Sequence, residues 1–175
     1  MTKKKSVYVF PIAVLLFLSL ITTASTVGTQ VVAESSGKSQ TLTVYIHSLS
    51  SVNGNGTIAT DEIDWYQGAD ATQIFTEREP EAAAEIGGPP DDYYIVNDSD
   101  TLTTYSLADN AAVIMQIYDH TGNLEDLDIQ WNEKITLQQF IDEFNKTDIL
   151  DLSQLPYHIT IQDGVVTSIV QQYIP

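Results

Sequence analysis

The sequence predicts an α+β domain: a mainly antiparallel β-sheet, or a small curled barrel, with two helical segments and a C-terminal β-hairpin. Three observations carry this. Residues 41–47, TLTVYIH, alternate apolar and polar side chains, as a half-buried strand does. Leu137, Phe140, Ile141 and Phe144 fall at i, i+3, i+4 and i+7, one face of a helix. Asp163-Gly164 separates two alternating runs as a two-residue loop. Hairpin signals dominate, and no strand–helix–strand unit repeats.

The chain of 175 residues divides into three parts. Residues 1–33 read as an export signal. Lys3, Lys4 and Lys5 supply the positive start, Val7 to Ile21 the apolar run, and Val31-Val32-Ala33 the cleavage site, with Ala24 as the alternative. Residues 34–40, ESSGKSQ, form a flexible leader. Residues 41–175 form one domain, with no internal repeat.

The elements follow in order. Leu42, Val44 and Ile46 form the inward side of the first strand. Thr57–Tyr66 is a second, carrying Ile58, Ile63 and Trp65. Gly68–Gly88 is helical, with Pro80 opening a second short helix that Gly87-Gly88 ends. Residues 93–96, YYIV, are a strand, and residues 97–100 are turn chemistry. Leu102–Leu107 and Ala111–Tyr118 read as two further strands, the second apolar on both faces and therefore central. The helix at 137–145 starts with a capping box, Thr136 and Gln139, with Ile135 and Phe140 placed for a hydrophobic staple. In the final hairpin a type I′ turn pairs Ile161 with Val166 and Thr160 with Thr167.

Composition narrows the chemistry. Cysteine is absent, which excludes lipoprotein anchoring, disulfides, thiol catalysis and Cys-based zinc sites. All 24 acidic residues lie after Ala33, against the four bases Lys38, Arg78, Lys134 and Lys146, a net charge of −20. Nucleic acid is excluded as a partner, since phosphate binding needs clustered Lys and Arg. An anionic membrane repels the same surface, so no stable membrane association is expected once the signal is cut. Solubility alone accounts for the charge, which also suits divalent cations or a basic partner.

The stretch Ser51–Glu62 matches a calcium loop in part. Asn53, Asn55, Gly56 and Glu62 stand at positions 3, 5, 6 and 12. Ser51 fails at position 1, where Asp is needed. Repeated Asn-Gly between alternating segments is a hairpin signal, so a turn is the expectation, with calcium as a weak alternative. Asp91-Asp92, Asp98/Asp100 and Glu125/Asp126/Asp128 match no ligand spacing. The hydrolase signatures Gly-x-Ser-x-Gly and His-Glu-x-x-His are missing. His47, His120 and His158 are scattered. Trp65-Tyr66, Tyr93-Tyr94 and Trp131 are candidates for a sugar-stacking face, with core packing as their ordinary role.

The segments ATDEIDWYQGADA (59–71), PDDYYIVND (90–98), TYSLADNAAV (104–113) and HITIQDGVVTSIVQQYIP (158–175) together resemble small secreted, functionally uncharacterised proteins of Gram-positive bacteria. The resemblance implies a secreted, non-catalytic domain and assigns no site residue. The expected function is an exported accessory or binding domain, at the cell surface or in the medium. Its partner would be a protein or a cell-wall component. The alternatives are a small secreted hydrolase using a carboxylate pair near Trp65 or Tyr94, and an inhibitor or partner of another exported protein.

Overall fold

The computed structural model describes residues 38–52 and 55–175. The expected export signal, residues 34–37 of the leader, and Asn53 lie outside the described residues, whereas Ser39 and Gln40, expected in the leader, belong to the first strand and pair with Gln162 and Ile161. The elements are β1 (Ser39–Val52), β2 (Asn55–Gln67), α1 (Gly68–Arg78), α2 (Pro80–Ile86), β3 (Tyr93–Val96), β4 (Leu102–Met115), β5 (Glu133–Ile135), α3 (Leu137–Phe144), β6 (Pro156–Gln162) and β7 (Val165–Gln171). None of the described helices is long and apolar enough to cross a membrane.

The strands form one mixed, mostly antiparallel sheet in the order β3-β2-β1-β6-β7-β4-β5, and β2 also pairs with β4. That extra pairing returns β1, β2, β4, β7 and β6 to their starting point as a ring. Every contact in the ring is antiparallel except β4–β7, which is parallel. In the chain, α3 stands between β4 and β6, two strands of this ring. The curled barrel expected from the sequence is therefore present.

Inside the ring lie Val44, Ile46, Ile58, Leu107, Val113, Tyr157, Ile159, Val166 and Ile169, all nearly solvent-free. Helix α3 adds Phe140 and Phe144 to the same core. Its capping box is formed: Thr136 Oγ1 accepts from Gln139 N at 3.1 Å, and Gln139 Oε1 accepts from Thr136 N at 3.2 Å. Ile63, Ala71, Phe75 and Val96 are buried apart from this core, where α1 covers the β2–β3 ribbon. Pro80 opens α2 and Gly87, at φ 82°, ends it, as the sequence indicates.

Two bulges shape the ring. In β1, Ile46 pairs with Thr60 and Ser48 with Ala59, leaving His47 as the extra residue. The inward series thus runs Val44, Ile46, Leu49. In β7, Ile161 pairs with Val166 but Thr160 with Ser168, leaving Thr167 extra. The expected Thr160–Thr167 pair is therefore corrected, and the inward series becomes Val166, Ile169, Gln171. Bulges add twist and bend, which a closing sheet needs. The turn itself is as expected, with Asp163 and Gly164 at φ 51° and 82°.

Two strand assignments also change. Residues 102–115 form one strand rather than two; Asp109-Asn110 is an exposed irregularity in the β4–β7 pairing, not a chain reversal. The short edge strand β5 is additional, since three residues carry no readable alternation.

Gly56 marks the closure point. It faces Leu107 across β2–β4, and a Cβ there would stand 3.0 Å from Leu107 Cβ. Gly56→Ala should cost ~1–3 kcal/mol by overpacking. Urea unfolding checks this: the midpoint should fall while the slope is unchanged. A wild-type midpoint would mean that closure does not depend on this contact.

Candidate functional site

The site begins where β4 leaves the sheet. Beyond Met115 the amides of Gln116 and Ile117 would lose their strand partners. Gln171 Oε1 receives both, at 2.8 Å each. Gln171 is 1% exposed, so its side chain substitutes for a buried strand neighbour. The β7 bulge is what turns this residue inward.

Gln116 carries the support outward. Its backbone carbonyl accepts from Gln130 N at 2.8 Å, and its Oε1 accepts from Asn132 N at 2.9 Å. The turn at 130–132 is thereby tied to a buried amide pair. Asn132 sits at φ 60°, a left-handed conformation that a non-glycine residue adopts at a cost of order 1 kcal/mol. The product of this strain is Trp131, displayed at 63% exposure. Its ring meets Tyr173 edge-on, with centroids 5.3 Å apart and planes at 77°.

Trp131 and Tyr173 border a hollow of about 360 Å³ whose other principal walls are Asn132, His158, Val170 and Gln172. His158 lies across β6–β1 from Thr43. Its Nε2 is 3.1 Å from Gln172 Oε1, which only accepts, so this nitrogen carries the hydrogen. In the neutral ring, Nδ1 then accepts from Thr43 Oγ1 at 3.1 Å. No Asp, Glu, Lys or Arg lines this hollow. Four other hollows each carry at least one Asp.

The outer face of β2–β4 has different chemistry. It presents Thr57 beside Ser106 and Ala59 beside Thr104, and Ser50 Oγ lies 2.7 Å from Thr57 Oγ1. None of these residues is aromatic or basic.

The expected site residues are dispersed. Asn53 and the Asn55 side chain lie outside the described residues. Ser51 pairs with Gly56 and Val52 with Asn55, so the segment is the expected hairpin. Glu62 lies further along β2, opposite Val44. At ~3.3 Å per residue it stands roughly 23 Å from Asn55, so the two do not share a loop. Among the described residues no group of three His, Asp or Glu is arranged to hold a metal ion. The carboxylates near Tyr94 have protein partners: Asp98 takes both Arg78 nitrogens at 2.8 and 2.6 Å, and Glu79 accepts from Tyr94 Oη at 3.4 Å. Trp65 is half-buried and stacked on Tyr93 at 4.7 Å. Of the aromatic candidates, Trp131 alone is strongly exposed. The histidines do not converge: His47 follows Thr43 along β1 by about 13 Å of extended chain.

A second polar cluster joins Tyr118, His120 and Glu133. Tyr118 Oη donates to Glu133 Oε1 at 2.9 Å, and His120 Nε2 lies 2.9 Å from Glu133 Oε2. Burial, then the Glu133 carboxylate, push the Tyr118 phenol up to about 12. A raised phenol stabilises the fold fully below its unfolded value of ~10 and loses that contribution as pH rises to the folded value. Stability should therefore fall between about pH 10 and 12. Tyr157, also raised by burial, contributes to the same fall. Tyr118→Phe should remove part of it in urea titrations across that window; an identical fall in the variant would exclude Tyr118 as a source.

The fold and site together define, among the described residues, a small acidic barrel bearing an uncharged, aromatic-edged hollow. The chain matches no protein-family model, no curated protein and no solved structure.

Proposed function

We propose that this chain is an exported, non-catalytic binding domain that acts at the cell surface or in the medium. The observation that carries the reading is the display of Trp131. A strained turn, a buried amide pair and an edge-on tyrosine hold a large apolar ring in water. A ring left exposed by such support is suited to covering by a ligand. The export signal and the resemblance to secreted Gram-positive proteins agree with it, and a cell-wall component is the partner we favour. Barrel connectivity alone assigns no ligand.

The test is retention of the full chain on Gram-positive cell-wall sacculi and on immobilised basic exported proteins. Retention on sacculi is expected. Failure to bind across the whole panel would remove the binding-domain reading.

A further inference from the structure

We infer that the Trp131–Tyr173 hollow binds the uncharged pyranose rings of a glycan. This deepens the proposed function and rests on it.

Three independent features converge on that chemistry. The first is the platform. A pyranose has an apolar face of C–H groups and a rim of hydroxyls. An exposed indole supplies the flat apolar partner for the face. Tyr173, at 77° to Trp131, buttresses the ring rather than covering it.

The second is the set of polar groups. Asn132 and Gln172 present planar amides, which both donate and accept as sugar hydroxyls do, while His158 and Gln116 are taken up by protein partners and fix the wall. His158 and Gln172 are locked to each other, so part of the wall is preorganised. Trp131 Nε1, Asn132 Nδ2 and Tyr173 Oη make no hydrogen bond among the described residues. They remain available to hydroxyls.

The third is charge. The hollow lacks ionised side chains in a domain of net charge −20. An anionic glycan would meet long-range repulsion with no local cation to offset it. A cationic ligand would find its carboxylates in the other hollows. An uncharged, hydroxyl-rich ligand is the one that loses nothing here. At about 360 Å³, the hollow lies at the small end of ligand-pocket sizes, ~300–1,000 Å³. It suits a short stretch of a chain rather than a whole oligomer.

The site lies on the β6–β7 exterior beside the turn before β5. It is distinct from the Ser/Thr face of β2–β4.

The test titrates the full chain with chitotetraose and cellotetraose, with polygalacturonate as the charged control, and follows the two indole N–H resonances by ¹H–¹⁵N NMR. The expected result is a saturable shift of the Trp131 resonance with at least one neutral oligosaccharide. Trp65 and the polygalacturonate titration should show none. Trp131→Ala should weaken binding by at least about tenfold with little change in melting temperature, because the ring is exposed. Asn132→Gly accepts the left-handed backbone and so should keep the fold, yet it should weaken binding several-fold by losing the amide. Wild-type affinity in both variants would overturn the assignment. Retention on sacculi without any response to either oligosaccharide would overturn the ligand class and leave the binding-domain reading intact. Loss of both would remove the two together.

Discussion

Phe140→Ala should lower the unfolding free energy by ~3–5 kcal/mol, the range for deleting a buried aromatic ring from a core. Phe140 is fully buried and makes edge contacts with Phe144 at 5.8 Å and Tyr157 at 5.7 Å. It joins α3 to the strand interior, so its loss leaves a cavity that two other rings cannot collapse into without moving. A domain of this size has only ~5–15 kcal/mol in total, so the variant should be close to unfolding at 37 °C. Urea denaturation by circular dichroism measures it. A loss below about 1 kcal/mol would show that α3 is a surface attachment rather than part of the core.

Gln171→Leu should cost nearly as much, for a different reason. Leu fills similar space, so the cavity term is small. What disappears is the acceptor for Gln116 N and Ile117 N. Each buried amide left without a partner costs ~1–3 kcal/mol, giving roughly 2–6 kcal/mol together. The same change should accelerate hydrogen exchange at both amides. It should also loosen the turn that displays Trp131, because Gln116 links the two. Slow exchange at Gln116 and Ile117 with unchanged stability would sink this account.

Legibility in the sequence follows the range of the interaction. The α3 capping box and the Asp163-Gly164 turn are set within four residues of chain, and both are found where the sequence places them. The bulges at His47 and Thr167 are not legible, because each depends on a partner strand. Without them, alternation would turn Ser168 inward instead of Ile169. Asp109-Asn110 carries turn chemistry, but pairing on both sides of β4 keeps the strand continuous. The parallel β4–β7 contact that closes the ring leaves no periodic trace at all.

The candidate site divides the same way. Trp131 is conspicuous in the sequence, and its exposure is the new information. Gln116 and Gln171 are not conspicuous. They are glutamines 55 residues apart, one just beyond β4 and one at the end of β7, and they acquire a role only where β4 ends. A polar residue inside an otherwise apolar strand was the available signal.

The route by which the ring closes has a kinetic consequence. Strand β1 pairs with β6, and Thr43 and His158 in that pair are 115 residues apart. Nearly the whole domain must be made before β1 gains its second neighbour. Topologies dominated by such distant pairings fold in roughly milliseconds to seconds. Through that interval β1 offers one open edge, the kind of template that recruits a neighbouring chain. The acidic surplus acts at this stage as well: chains carrying a net charge of −17 repel one another before any of them has closed its ring.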